Sequence, residues 1–291
     1  MSEATLTFPE ADARKLEPHL PPKPSSTTAA AASGTREDAD PPPPPPQRPF
    51  VTLTYATSLD SALALAPGTR TALSGPQSKA MTHYLRSRHA AICVGVGTAL
   101  ADNPGLNCRI APSASDDGNG QPRQPRPIVI DPHQRWAFTD QSKVLQLARA
   151  DRGLAPYILI AVAGPEPPAE RRQLLEELGG KYICLGDSSS FVMEWRDILR
   201  AVRNEGLDSI MVEGGGQVIS SLLGAPNAEL IDSVIITVAP TWLGAGSVFV
   251  SPARRLDSEG KPMSAGRLVD TAWIPLGEDV VLCGKIAKTS S

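Results

Sequence analysis

A glycine-rich run is the sharpest candidate for chemistry in this sequence of 291 residues. An apolar stretch ends in a carboxylate, three glycines follow, and an amphipathic segment begins: Glu213, Gly214, Gly215, Gly216, Gln217 and Val218. Glycines let the backbone approach a phosphate closely, and a helix start offers unpaired N–H groups and a partial positive charge. Because Ile219 occupies the place of the last glycine of a GxGxxG fingerprint, a standard Rossmann site is disfavoured. A turn that merely reverses the chain remains the alternative.

A second candidate segment follows an earlier apolar run. Thr98 and Asp102 are four residues apart, so a single helical turn would place both on one side. A hydroxyl and a carboxylate there suit ribose hydroxyls or a carboxamide. An Asn-Pro-Gly turn then leads to Arg109, whose guanidinium can hold a phosphate through two hydrogen bonds. Taken alone, each of these residues is more typical of ordinary turn chemistry.

Two carboxylates are candidates for acid–base chemistry. Glu213 lies at the carboxyl end of a predicted strand, where ligands of α/β sheets bind, although a solvated edge carboxylate is the alternative. Asp60 lies in the polar loop after the first predicted strand, where a lone aspartate is usually a turn residue. No GxSxG or HExxH motif occurs, and the cysteines and histidines form no ligand pair. We therefore expect neither a hydrolase nor a metal site.

The elements that position these residues alternate between strand and helix. Predicted strands lie at 50–55, 91–96, 128–130, 157–162, 182–185, 210–212 and 231–238. A helix up to about residue 89 is predicted from a capping box, with Ser74 as N-cap and Gln77 three residues later. Further helices are predicted near 140–150, 166–178, 193–204 and 217–223, and a hairpin at 267–274 and 279–287 closes the chain. This order predicts a three-layer α/β fold with a mixed sheet and an antiparallel end.

Composition divides the chain into two parts. Of its 29 prolines, 12 lie in the first 49 residues, and Phe8 is the sole aromatic residue before Phe50. We therefore predict a disordered, proline-rich leader over residues 1–47 and one folded domain over 48–291. A ligand for an SH3-type or profilin-type domain is the alternative interpretation of the proline runs.

Charge and hydropathy exclude several partners. A net charge of −3 disfavours nucleic-acid binding driven by phosphate attraction, and no run of 18 apolar residues could span a membrane. The N-terminus has no secretory or mitochondrial signal pattern. Widely spaced cysteines favour a reducing compartment, so we expect a cytoplasmic protein with a small-molecule ligand.

Taken together, the segments resemble the pyrimidine reductase family of riboflavin biosynthesis, in its stand-alone fungal form. The matching stretches keep one order along the chain: residues 50–60, 81–86, 97–107 and 212–216. Four motifs agree, whereas any one would be weak. The sequence departs from many relatives at Ser61, where they have glycine.

The resemblance implies a dihydrofolate-reductase-like fold, a homodimer and NADPH. The reaction it implies turns the ribosylamino side chain of 2,5-diamino-6-ribosylamino-4(3H)-pyrimidinone 5′-phosphate into a ribitylamino one. By the same resemblance, the cofactor contacts are Thr57, Thr98, Asp102, Val192, Gly214, Gly215, Gly216, Gln217 and Val218. The substrate pocket is formed by Leu106, Arg109 and Glu213. Either Glu213 or Asp60 could stabilise a developing iminium or manage a proton, and the sequence does not choose between them.

Two other functions remain open at this point. One is a different pterin or folate reductase that uses NADPH on the same fold. The other is a regulator that binds NADPH without turnover. Bacterial relatives often carry a zinc deaminase domain in front, but H-x-E…P-C-x-x-C is missing here, so we expect reduction alone.

Overall fold

A nine-stranded mixed sheet organises the chain in the computed structural model, which describes residues 5–23, 47–111 and 122–287. Its strands are β1 (Phe50–Thr57), β3 (Ala91–Gly95), β4 (Arg126–Ile130), β5 (Tyr157–Ala161), β6 (Lys181–Leu185), β7 (Ser209–Gly214), β8 (Ser233–Val238), β12 (Leu268–Leu276) and β13 (Asp279–Ile286). Two short pairings lie outside this sheet: β2 (Ala62–Ala64) with β9 (Val248–Phe249), and β10 (Arg255–Leu256) with β11 (Pro262–Met263).

The strand order brings the ends of distant segments together. It is β12-β13-β8-β1-β7-β3-β4-β5-β6. The seven strands from β8 to β6 run parallel, and the hairpin of β12 and β13 joins β8 antiparallel. All seven parallel strands therefore present their carboxyl ends at one edge, which is where ligands of open α/β sheets bind.

Helices cover both faces of the sheet. They are α1 (Glu10–Leu16), α2 (Pro76–Arg88), α3 (Val96–Asp102), α4 (Lys143–Arg149), α5 (Ala169–Glu177), α6 (Trp195–Asn204) and α7 (Gly216–Leu223). Alternate residues of β3 face opposite cores, because Ile92 packs with residues of α2 and α4 whereas Cys93 packs with residues of α6 and α7. The predicted three-layer α/β fold and its closing hairpin are confirmed.

The start of α2 differs from the predicted capping box. The helix begins at Pro76 with Gly75 as N-cap, and no side chain of its own segment caps it. Instead, Asp279 at the start of β13 accepts hydrogen bonds from the Gly75 N–H at 2.9 Å and the Ser78 hydroxyl at 2.6 Å. Ser74 is therefore not the cap. A buried carboxylate from a distant hairpin replaces the local one, which sequence spacing alone does not reveal.

The N-terminal segment is folded where a disordered leader was predicted. α1 and a 3₁₀ turn at Glu17–His19 pack against the sheet's helical layer. Leu16, 1 % exposed, and Leu20 lie in the same core cluster as Met81 and Leu85 of α2. The prediction is wrong for residues 5–23, because a composition averaged over 47 residues conceals two leucines that reach the core. Residues 24–46, which include the proline run, lie outside the described residues.

Polar and aromatic contacts hold the same segment in place. The Phe8 ring stacks on Tyr84 with centroids 5.2 Å apart. The Glu17 carboxylate accepts a hydrogen bond from the Tyr84 hydroxyl at 2.7 Å and pairs with Arg88. Leu6 forms a short parallel bridge, in which its N–H donates to the Arg109 carbonyl at 2.9 Å. The segment therefore supports both α2 and the chain around Arg109.

Candidate active site

A cleft of about 1030 Å³ opens at the carboxyl edge of the sheet. The ends of four neighbouring strands contribute to its wall: Tyr55 from β1, Glu213 from β7, Gly95 from β3 and Ile130 from β4. Its volume lies just above the range of about 300–1,000 Å³ that is typical of small-molecule sites. Because each predicted site segment follows a parallel strand, the sheet brings these segments together at one edge.

The glycine-rich turn lies directly against α3. The Gly215 N–H donates to the Thr98 hydroxyl at 3.2 Å, and a Cβ at Gly215 would lie 3.0 Å from the same oxygen. A Cβ at Gly95 would lie 2.8 Å from Val218 Cγ2. Gly215 also has φ +23°, a backbone angle that residues with a side chain rarely adopt. Glycines are thus required for β3, α3 and the turn to approach each other this closely.

The start of α7 adds a positive electrostatic potential to this wall. The helix runs Gly216–Leu223, and the Ile219 N–H is the first one bonded back into it, through the Gly215 carbonyl. The preceding N–H groups have no partner within the helix and carry the positive end of its dipole. Backbone N–H groups of this kind favour a phosphate.

Most of the predicted cofactor residues come together here. The cleft wall includes Thr98, Asp102, Gly215, Gly216, Gln217 and Val218. Gly214, with φ +113°, stands just behind it, since a Cβ there would lie 2.7 Å from Ile219 Cδ1. Its glycine therefore serves the packing of α7 on β7.

Two predicted cofactor residues lie beside the wall and are not part of it. Thr57 is buried, with its hydroxyl near the Ala62 carbonyl at 3.4 Å, although the preceding Ala56 lines the cleft. Val192 is 66 % exposed, and its neighbour Met193 lines the cleft.

A partly buried ion pair with Arg86 holds Glu213. Arg86 donates from Nε to Oε1 at 3.0 Å and from Nη2 to Oε2 at 2.8 Å, a two-pronged contact that fixes the plane of the carboxylate. Arg86 Nη1 also donates to the Asn107 carbonyl at 3.0 Å. Both side chains of the pair are less than one-fifth exposed. Sequence analysis missed Arg86 because its partner lies 127 residues away, although Arg86 closes one of the four motifs.

The carboxylate of Asp60, the other candidate for acid–base chemistry, is held by three hydrogen bonds. Its carboxylate accepts hydrogen bonds from the N–H groups of Leu243 at 3.1 Å and Gly244 at 2.8 Å, and from the Ser58 hydroxyl. The Ser58 hydrogen bond, followed by those of the two backbone groups, lowers the Asp60 pKa to about 2. Asp60 is not part of the cleft wall and holds two loops together. Its low pKa makes it a poor proton carrier near neutral pH.

The backbone conformation of Ser61 explains why many relatives have glycine at this position. Ser61 has φ +61°, in the left-handed region that favours glycine. A serine there retains the loop conformation at a modest backbone cost.

The predicted substrate residues Leu106 and Arg109 are not part of the cleft wall. Leu106 is 2 % exposed and packs in the core, so its side chain does not line the pocket as expected. Arg109 is half-buried and contacts His83 twice, from its N–H to Nδ1 at 3.1 Å and between Nη2 and Nε2 at 3.0 Å. Burial, followed by the charges of Arg86 and Arg109, lowers the His83 pKa to about 3.

Several cleft residues were not predicted from the sequence. Three cationic side chains line it: Arg70, Lys79 and Arg135. His133 also lines it, with its ring stacked on Phe191 at a centroid distance of 4.4 Å. Apart from Lys79 on α2, these side chains lie in irregular segments between elements, where no periodic pattern distinguishes a ligand contact from a surface residue.

Among residues 5–23, 47–111 and 122–287, no group of three or more His, Cys, Asp or Glu side chains could hold a metal ion. Within those same ranges, the helices are all too short or too polar to cross a membrane.

Comparison with known proteins assigns this arrangement to a family. Residues 49–282 match the RibD C-terminal domain. The chain belongs to the RibD C-terminal domain family. That match extends from the residue before β1 into β13, so it includes at least part of each of the nine strands.

Two curated relatives of this chain share one name. A protein of Debaryomyces hansenii is 42 % identical over 241 residues, covering 82 % of this chain and 90 % of its own. A protein of Saccharomyces cerevisiae is 38 % identical over 241 residues, covering 82 % and 87 %. Both are named 2,5-diamino-6-ribosylamino-4(3H)-pyrimidinone 5′-phosphate reductase. The family resemblance drawn from the four motifs is confirmed.

Solved structures agree with this assignment. The riboflavin biosynthesis reductase of Saccharomyces cerevisiae superposes with a TM-score of 0.66 at 32 % identity, covering 94 % of this chain and 98 % of that one. RibD of Acinetobacter baumannii superposes with a TM-score of 0.62 at 23 % identity, which shows a shared fold.

Proposed function

We propose that this chain uses NADPH to reduce 2,5-diamino-6-ribosylamino-4(3H)-pyrimidinone 5′-phosphate to its ribitylamino form. The observation that carries the proposal is the cleft itself, where the glycine turn closes on Thr98 beside the fixed Glu213–Arg86 pair. Relatives of 36–42 % identity with this substrate in their name support the choice of reaction.

The residues of the cleft fit a dinucleotide phosphate. A Cβ at Gly215 would lie only 3.0 Å from the Thr98 hydroxyl oxygen, so the glycine cradle is tight, and the adjoining helix start offers backbone N–H groups to an anion. Thr98 and Asp102 supply a hydroxyl and a carboxylate on one turn of α3, which suits ribose hydroxyls. When bound there, NADPH supplies the hydride.

Glu213 is the carboxylate we assign to the substrate. Each of its oxygens keeps lone-pair capacity after accepting from Arg86, so it can accept further hydrogen bonds from amino or hydroxyl groups. The overall change adds a hydride to C1′ of the ring-opened imine and a proton to the attached nitrogen. A fixed negative charge at the cleft wall stabilises the positive charge of an iminium at that step. Asp60 takes no part, since both of its oxygens hold backbone N–H groups away from the cleft.

We assign the 5′-phosphate of the substrate to Arg109, as the family resemblance implies. Arg109 does not line the cleft, but it lies two residues beyond Asn107, whose carbonyl accepts from Arg86. A planar guanidinium holds two phosphate oxygens in fixed directions, which a lysine does not reproduce. Arg109→Lys should therefore raise KM for the pyrimidine phosphate by a factor of about 5–150, equivalent to about 1–3 kcal/mol, with NADPH affinity unchanged.

Association into a homodimer belongs to the same proposal. Trp273, 63 % exposed, and Val269 lie on β12, an edge strand of the sheet. Large apolar side chains on an exposed edge favour contact with another chain. Sedimentation of the full chain should give the mass of two copies, and a monomer across micromolar concentrations would contradict the dimer.

The four cysteines are all free, which supports a cytoplasmic location.

The proposed reaction is tested by following NADPH oxidation with two substrates. The pyrimidine phosphate should support turnover and dihydrofolate should not. Turnover with dihydrofolate alone would favour a folate-type reductase instead. NADPH binding without turnover on either substrate would favour the regulator.

A further inference from the structure

Lys79 lines the cleft from the helix that also carries the partner of Glu213. It lies in the second turn of α2, and Arg86 follows seven residues later, on nearly the same side of the helix. Because α2 ends just before β3 begins, its first turns lie toward the carboxyl edge of the sheet, where the cleft opens. Among residues 5–23, 47–111 and 122–287, the Lys79 ammonium group has no ion-pair partner. It is therefore available to a ligand in the cleft.

The pleat of β7 places the Glu213 side chain on the α2 side of the sheet. Met211 packs in the core cluster that contains Met81 of α2, whereas Val212 packs in the cluster that contains residues of α6. Successive side chains of a strand alternate between faces, so Glu213 lies on the same face as Met211. The hydrogen bonds from Arg86 agree with this orientation. Lys79 and Glu213 thus face the cleft from the same side of the sheet.

Other cleft groups that could give up a proton lie elsewhere. Besides carboxylates and arginines, the ionisable side chains on the described cleft wall are Tyr55, Lys79 and His133. Tyr55 packs against the opposite cluster, and burial raises its pKa to about 12. His133 follows β4, two strands away from β7, or about 10 Å across the sheet. A guanidinium does not give up its proton, and the Glu213 carboxylate has none to give.

We propose that Lys79 is the general acid of the reduction, which gives a proton from Nζ to the nitrogen attached to C1′ of the substrate. This rests on the proposed function, whose overall change needs one proton at that nitrogen. The Nζ–H bond breaks as the new N–H bond forms, and the positive charge passes from the ammonium group to an iminium beside Glu213. C1′ then accepts the hydride with its electron pair, and the π electrons of the C=N bond become a lone pair on nitrogen. The neutral Lys79 amine regains a proton from water.

The arrangement divides acid catalysis between two side chains. A neutral imine is a weaker hydride acceptor than an iminium, so the protonation activates C1′. Glu213 stays ionised beside Arg86 and stabilises the charge that Lys79 transfers. Neither residue alone supplies both the proton and the fixed negative charge.

The first test measures the reduction step with substitutions of Lys79. Single-turnover reduction is followed with the pyrimidine phosphate and NADPH both saturating, so that product release does not mask the step. Lys79→Met should lower this rate about a hundredfold, as expected for loss of a general acid. Lys79→Arg keeps the positive charge but not the proton transfer, so it should be about equally slow. Calorimetric Kd values for both ligands should stay within about threefold. Lys261→Met is the control, because Lys261 is an exposed lysine outside the cleft and should leave the rate unchanged.

The second test asks whether an external acid replaces the side chain. Lys79→Ala leaves space for a small amine, and methylammonium should raise its rate in proportion to concentration. Tetramethylammonium, which has the charge without a transferable proton, should not raise it.

Three results would overturn the assignment of Lys79. They are a wild-type rate in Lys79→Met or Lys79→Arg, equal rescue by both ammonium ions, and a weakened substrate Kd with the saturated rate intact, which would make Lys79 a phosphate contact. A wild-type chain that oxidises no NADPH with the pyrimidine phosphate would instead refute the proposed function.

Discussion

Leu16→Ala is the most direct test of the folded N-terminal segment. Leu16 is 1 % exposed and packs in the core cluster that contains Met81 and Leu85. Buried leucine-to-alanine changes cost about 2–5 kcal/mol, because transfer free energy and cavity formation add. The segment can detach as a unit, which limits the cost to its docking free energy. Burial of Leu16 and Leu20 contributes about 3–6 kcal/mol before the cost of ordering the segment.

We therefore expect Leu16→Ala to lose about 2–3 kcal/mol, equivalent to a Tm decrease of about 4–12 °C for a domain of this size. The measurement is urea unfolding of the full chain, together with amide hydrogen exchange across α1. Leu256→Ala is the control, since Leu256 is 59 % exposed and its truncation should change stability by less than about 0.5 kcal/mol. Equal stability of the two variants, with α1 protection retained, would refute the docking of this segment. A chain that starts at Arg48 should likewise lose stability.

Three further changes test separate parts of the structure. Gly215→Asp should weaken NADPH binding at least a hundredfold in titrations, because it adds a negative charge and a Cβ at a residue with φ +23°. The control is Gly266→Asp, where a Cβ would meet no atom within 4 Å and NADPH affinity should not change. Equal NADPH affinities of the two variants would place the cofactor phosphates elsewhere. Asp60→Asn should be less stable than the wild type above about pH 4, and this deficit in stability should shrink as pH falls toward 2. The reason is that folding lowers the pKa of Asp60 from 3.8 to about 2. A deficit in the urea midpoint that does not change with pH would contradict this expectation. Asp279→Ala should cost about 1–3 kcal/mol by leaving the N-terminus of α2 uncapped, compared with little change for exposed Asp140→Ala in the same unfolding assay.

Local sequence pattern was sufficient to predict the main strands of the sheet and the glycine-rich turn. A continuous apolar run predicted β3, because a strand covered on both faces has no polar side to alternate. Thr98 and Asp102 were expected on one side if a helical turn joined them, and α3 supplies that turn. The contact between Gly215 and Thr98 then follows from two strands ending at the same edge.

Contacts between distant segments could not be predicted in this way. Arg86 and Glu213 are 127 residues apart, and nothing local indicates that one holds the other. The sequence predicts that Asp60 is either a turn residue or a catalytic carboxylate. It does not predict the hydrogen bond that Asp60 accepts from the Gly244 N–H, 184 residues later. The cap of α2 by Asp279 is of the same kind. Such pairs depend on the strand order, which the spacing of hydrophobic residues does not specify.

The position of β1 in the sheet has a consequence for biosynthesis. Phe50 at the start of β1 pairs with Ser209 of β7, and Thr52 pairs with Ser233 of β8. During translation at about 5–20 residues per second, the first strand therefore waits on the order of 10–30 s for either of its neighbours. Throughout that interval both hydrogen-bonding edges and the side chains of Val51 and Leu53 have no native cover. Folding dominated by such distant pairings is slow, and the nascent chain is exposed to aggregation until β7 and β8 leave the ribosome.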